Sequence, residues 1–133
     1  MIWMLDTNIC SYVMRTLPVT VQRRFESIGP EYLAISAVVL AELRYGAARH
    51  PTRSTLYFAE IDNFTSRLDV LAWTSHAADH YARLRATLER RGQPIGNMDM
   101  LIAAHALAEN AVLVTHNVRE FERVPGLTVE NWA

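Results

Sequence analysis

Ile2-Trp3-Met4-Leu5-Asp6-Thr7-Asn8 carries four large apolar residues that stop at a carboxylate and two small polar residues. A short unbroken apolar run bounded by polar residues is the pattern of a strand buried on both faces. That assignment puts Asp6 at the strand's C-terminal end, the edge where open α/β sheets bind ligands. Three later positions can bring polar groups to the same edge: Glu42, Asp99 and Asn117.

Working outward, Tyr32-Leu33-Ala34-Ile35, Leu68-Asp69-Val70-Leu71 and Ala111-Val112-Leu113-Val114 read as further short strands, and Leu127-Thr128-Val129 suits an edge strand. Helical patterns fill the intervals. Ile9, Tyr12 and Val13 predict a short helix, and Pro18 suits the first turn of a second one with Val21 and Phe25 inward. Ser36 is placed to cap a helix over 37–48, on which Val38, Val39, Glu42 and Tyr45 share one face. A helix over 53–66 buries Leu56, Ala59, Ile61 and Phe64. Another, capped by Thr74 or Ser75, turns Ala77, Tyr81, Leu84 and Leu88 inward and ends at Gly92. The Ala-rich run 98–108 is the clearest helix, with Asp99 in its first turn where the dipole favours a carboxylate. Strands alternating with helices predict one domain over residues 1–133, a three-layer α/β/α sandwich on a parallel sheet of four to five strands.

With 133 residues, half of them hydrophobic, the chain can bury a sizeable core. Its net charge of -1 supplies no overall attraction for nucleic acid, so such a partner needs a local basic patch. All 13 basic residues are Arg, which excludes a P-loop or Schiff-base lysine and leaves the better bidentate phosphate ligand. Cys10 is the sole cysteine, so no internal disulfide forms, and no apolar run reaches transmembrane length; a cytoplasmic protein away from membranes is expected.

Each polar candidate has a bland reading beside the chemical one. Asp6 and Asp99 suit helix starts, and Asn117 can close a turn on its own backbone. Glu42 within an apolar stripe needs a cationic partner or an escape to solvent. Coincidence favours the chemical reading: apolar strands end near Asp6 and Asn117, and Glu42 and Asp99 sit on helices able to lean over that edge.

Leu5-Asp6-Thr7-Asn8, Ser36 through Glu42-Leu43 with Tyr45-Gly46, Ile95-Gly96-Asn97-Met98-Asp99 with Ile102-Ala103-Ala104, and Val114-Thr115-His116-Asn117 with Glu120-Phe121 together resemble the PIN-domain ribonucleases, and among them the VapC toxins of bacterial VapBC toxin–antitoxin pairs. The blocks fall in the family's order along the whole chain. The resemblance implies that Asp6, Glu42 and Asp99 are the acidic residues of a catalytic site, with Thr7, Asn8, Ser36 and Thr115 in support. Asn117 stands where many members carry a fourth Asp; an amide lends oxygen without charge and would hold a second metal more weakly. The donor set suits Mg²⁺ or Mn²⁺ rather than zinc, since Cys10 is alone and no His pair has ligand spacing. On this pattern Asp6 and Asp99 are the principal ligands, Glu42 ligates or orients water, and Asn117 is an outer ligand.

The resemblance further implies a homodimer, a larger toxin–antitoxin assembly, and a VapB-type antitoxin. That antitoxin's C-terminal segment would fill an apolar groove formed by the Pro18–Ile28 and Arg53–Ser66 stretches. It also implies a structured RNA substrate, with tRNA and the initiator tRNA anticodon loop as the expectation. Arg23, Arg24, Arg85, Arg90 and Arg91 are the candidate RNA contacts. Two competing readings are a metal-free ribonuclease using His105 or His116 as acid and base, and a non-catalytic module that works through its partner.

Overall fold

The computed structural model describes residues 1–133. Five strands form one parallel sheet: β1 (Trp3–Leu5), β2 (Leu33–Ser36), β3 (Asp69–Leu71), β4 (Val112–Val114) and β5 (Thr128–Glu130), in the spatial order β3-β2-β1-β4-β5. Every residue of β2 and β4 is buried. Successive side chains on a strand point to opposite faces, so both faces of the central sheet are covered. The covering helices are α1 (Thr7–Arg15), α2 (Val19–Ser27), α3 (Ala37–Ala48), α4 (Ser54–Thr65), α5 (Ser75–Arg90), α6 (Asn97–Ala108) and α7 (Val118–Phe121). The expected α/β/α sandwich is the observed one. Its strand bounds shift by a residue or two from the sequence pattern, as at β2, which takes in Ser36 but not Tyr32.

The chain builds the sheet from β1 towards β3, then crosses back to add β4 and β5 on β1's other side. The direction of winding therefore reverses between β1 and β4, and the crevice at their C-terminal ends is where such a sheet binds ligand. Leu5 pairs with Val114, which brings the next residues, Asp6 and Thr115, side by side from opposite ends of the sequence.

Two expected helix faces are corrected. The core face of α3 is Val39, Leu43 and Ala47, whereas Tyr45 is 68% exposed and Val38 and Glu42 lie on the flank, half-buried. A stripe at four-residue spacing is enough for a helix laid across a sheet edge, and it rotates Glu42 out of the apolar surroundings expected for it. On α4, Ile61 and Phe64 are buried but Leu56 and Ala59 face outward. Pro18 precedes α2 by one residue instead of opening it. The inward set on α5 is Ala77, Leu84 and Leu88, with Tyr81 half-buried.

Candidate active site

Asp6 follows β1 and caps α1: its Oδ1 accepts from the Ile9 backbone N–H at 2.9 Å, the helix-cap role open to it from the sequence. Its other oxygen, Oδ2, accepts from the Thr115 hydroxyl. Thr115 Oγ1 in turn accepts from the Asn117 backbone N–H at 2.9 Å, which fixes the hydroxyl's direction. Burial pushes the Asp6 carboxyl above its ordinary value, and the Glu42 charge adds to this. The Thr115 and Ile9 hydrogen bonds and nearby His116 pull the other way.

Glu42 reaches the same edge from the flank of α3, where Thr7 Oγ1 donates to its Oε1 at 2.6 Å. Thr7 thus ties the first turn of α1 to α3. Ser36 supports Glu42 from further off: its Oγ accepts from the Val38 N–H at 3.1 Å and so sets the start of the helix that carries Glu42. Asn8 is exposed, with no side-chain hydrogen bond inside the chain.

Asp99 stands in the first turn of α6, half-buried. Its carboxyl is pushed up to about 7, by burial first, then by a hydrogen bond shared with Glu120 and by the charges of Glu120, Glu42 and Asp6. Glu120 is the acidic residue that the sequence reading passed over. It holds the loop before α6 through the Gly96 N–H, which donates to its Oε1 at 3.0 Å, and the Asn117 amide donates to its Oε2. Asn117 itself is exposed and uses its amide nitrogen to hold Glu120. The signal was in the sequence: Asn117 and Glu120 are one helical turn apart at the C-terminal end of β4.

The charges of Asp6, Glu42 and Glu120 therefore all act against ionisation of Asp99, and that of Glu42 acts against Asp6. None of them forms an ion pair: the salt bridges of the molecule join Arg24 to Glu130, Arg83 to Asp79 and Arg85 to Glu89, and His105, 3.8 Å from Glu109, would pair with it only when protonated. An all-oxygen, unneutralised donor set fits a hard divalent cation. As the side chains stand, no three His, Cys, Asp or Glu residues come close enough together to hold a metal ion between them. A cation that keeps several of its waters and takes one or two carboxylates needs no such grouping.

A cleft of about 530 Å³ runs from Thr7 and Glu42 along α1, α3 and α4 past Arg15, Arg49, His50 and Tyr57. The arginines expected to touch RNA lie elsewhere. Arg24 sits 5.8 Å from the Trp3 ring and 5.6 Å from the Trp132 ring and pairs with Glu130, so it fastens the C-terminal tail. Arg85 bonds Tyr81 and Glu89. Arg90 bonds Thr87, while Arg23 and Arg91 are exposed; none of the five lines the cleft.

A PIN-domain family model matches residues 3–127. The chain belongs to the PIN-domain family. Its similarity within that family is to the VapC ribonucleases: it is 44% identical to ribonuclease VapC2 of Rickettsia felis over 99% of this chain and 98% of that one. It is likewise 44% identical to the tRNA(fMet)-specific endonuclease VapC of Shigella flexneri, over 98% of each. Among solved structures, that of VapBC2 from Rickettsia felis bound to a promoter DNA fragment superposes with TM-score 0.93, 42% identity and full coverage of both chains. DNA-bound VapBC from Salmonella typhimurium gives TM-score 0.93 at 39% identity, covering 100% of this chain and 99% of that one.

Proposed function

We propose that this chain is the toxin of a VapBC-type pair, an endoribonuclease that depends on Mg²⁺ or Mn²⁺ and cuts a structured RNA at a defined place. The observation that carries this reading is that Asp6, Glu42 and Asp99 lie within electrostatic reach of one another near the β1/β4 edge, none of them paired with a guanidinium. The names of the relatives support a tRNA substrate, with initiator tRNA first among them. A VapB-type antitoxin is the expected partner, and exposed Leu17, Val19 and Leu56 are apolar surface available to it or to a second copy of the chain.

Asp6 and Asp99 would hold the cation, with Glu42 beside them. When bound, it neutralises charge on the scissile phosphate and makes water a better nucleophile at neutral pH. Asp6 enters this role already oriented, since Thr115 and the Ile9 N–H fix both its oxygens. Glu42, held by Thr7, would orient the water and accept its proton. Asp99, as a ligand of the cation, would be ionised, so the departing 3′ oxygen takes its proton from water. In-line attack leaves a 5′-phosphate and a 3′-hydroxyl.

His105 cannot serve as an acid or base for RNA: it is fully buried, its Nδ1 lies 2.7 Å from Ser36 Oγ, and burial holds its pKa below the ordinary value. His116 is exposed, edge-on to Tyr12, and remains the residue of a metal-free scheme. Digestion of total RNA with the cut ends mapped tests the reading. One dominant cut bearing a 5′-phosphate, lost in excess EDTA and in Asp6→Asn, is expected; EDTA-resistant cleavage with a cyclic phosphate product would refute it in favour of His116.

A further inference from the structure

Four carboxylates around one crevice repel the polyanion they are proposed to cut, and the chain's net charge does nothing to offset this. Holding the strand therefore falls to cations close to the crevice but outside it. Arg15 and Arg49 meet that condition. Arg15 ends α1, whose first residue follows Asp6, and Arg49 follows α3, two helical turns beyond Glu42 and about 10 Å along the axis. Both line the cleft that opens from Thr7 and Glu42. Neither is ion-paired, although Glu42 and Glu60 line the same cleft. Each guanidinium lies 5.9 Å from the ring of a tyrosine on its own helix, Tyr12 and Tyr45 respectively, which limits where it can swing.

The same cleft carries an aromatic pair. His50 and Tyr57 meet edge-on at 5.0 Å, and the Arg53 backbone N–H donates to His50 Nδ1 at 3.1 Å, which locks the imidazole. Fixed rings beside free guanidinium groups are the two components of a single-strand site: phosphate contacts for affinity and ring faces for unpaired bases. Taking the ribonuclease reading as its basis, we propose that this cleft is the subsite for the single-stranded RNA flanking the cut, with Arg15 and Arg49 on its phosphates and the His50–Tyr57 pair stacking a base. It assigns RNA holding to the α1/α3/α4 side, in place of the α2 and α5 arginines that the sequence suggests.

The test uses the full chain carrying Asp6→Asn, so that RNA binds without being cut, and a fluorescein-labelled single-stranded RNA read by anisotropy across a salt series. Arg15→Gln and Arg49→Gln should each weaken binding roughly tenfold. Each should also make the slope of log K against log salt shallower by about 0.7, the signature of one lost phosphate contact to a single strand. Arg83→Gln, paired with Asp79 on α5, serves as the comparison and should change neither. Tyr57→Leu should weaken binding while leaving the slope alone, because stacking releases no counterion. Unchanged slopes in both cleft variants would overturn the assignment, and so would a loss confined to antitoxin binding, which would make the cleft a protein-binding groove. RNA cleavage by the unsubstituted protein separates the two failures: cleavage with unchanged slopes sinks only the cleft, whereas no cleavage sinks the ribonuclease reading beneath it.

Discussion

His105 Nδ1 stands 2.7 Å from Ser36 Oγ, joining the helix that bears Asp99 to the cap of the helix that bears Glu42. These two residues and the Asp6–Thr115 pair are the buried polar side chains of the molecule. Both pairs lie under or at the crevice, and each spans distant parts of the sequence. A buried polar group without a partner costs about 1–3 kcal/mol, so each pair holds its elements in one arrangement.

Ser36→Ala removes the cap of α3 and strips His105 of its partner at once. A cap alone is worth about 1 kcal/mol, so urea unfolding should register a larger loss, about 2–3 kcal/mol with the orphaned imidazole included. A double-mutant cycle with His105→Leu should return a coupling of at least about 0.5 kcal/mol. Strict additivity would mean that the two side chains do not cooperate.

Thr115→Val keeps the shape but deletes the hydroxyl that donates to Asp6 and accepts from Asn117. Losing that donor raises the Asp6 pKa further, because burial then acts with less opposition. Affinity for Mg²⁺ should fall about 10- to 100-fold, read by calorimetry, with the circular dichroism spectrum unchanged. Affinity equal to that of the parent would remove Thr115 from the site.

Metal-free protein should carry the mark of Asp99 in its stability. The folded carboxyl titrates at about 7 against an ordinary 3.8, so between those values the folded state keeps a proton that the unfolded state has lost. Its contribution is thus unfavourable to folding as pH rises through that window and levels off above about 7. His105 slopes the other way below its ordinary 6.5, since its folded pKa is lowered. The difference between Asp99→Asn and the parent isolates the first effect. In EDTA the variant should melt higher near neutrality and above, with the gain fading towards pH 4, about the ordinary carboxyl value. Added Mg²⁺ should reverse the order, stabilising only the parent.

Glu120→Gln tests the residue that the sequence reading missed. Removing its charge should lower the Asp99 pKa, since the Glu120 hydrogen bond and charge follow burial among the causes that raise it. Carbon-13 NMR of the Asp99 carboxyl in metal-free protein measures this directly. A titration unmoved by the substitution would leave burial alone as the cause.

Much of the fold was legible because strand and helix periods are local. The runs at Leu5, Ile35 and Val114 are apolar on consecutive residues, the mark of a strand covered on both faces, and all three lie in the central strands. The errors came where a pattern had more than one rotation. Val38, Val39, Glu42 and Tyr45 do share a helical face, but α3 turns Val39, Leu43 and Ala47 to the core, and which stripe faces the sheet depends on how the helix crosses it. The surroundings of an arginine are non-local in the same way: a cluster such as Arg23-Arg24 is visible in one dimension, while the Trp3–Trp132–Glu130 socket that engages Arg24 is assembled from both ends of the chain.

By itself, the sequence determined that apolar strands end in polar residues, that Asp6 and Asp99 start helices, and that no lysine or second cysteine is on hand for other chemistry. These follow from residue type and short-range spacing. Only the tertiary structure decided that Glu120 joins the acidic cluster, that Asn117 holds it, and that Arg15 and Arg49 share a cleft with Glu42. The physical reason is the crossover at β1: returning β4 to the far side of the first strand brings residues more than a hundred positions apart into contact, and charge acts through space, not along the chain.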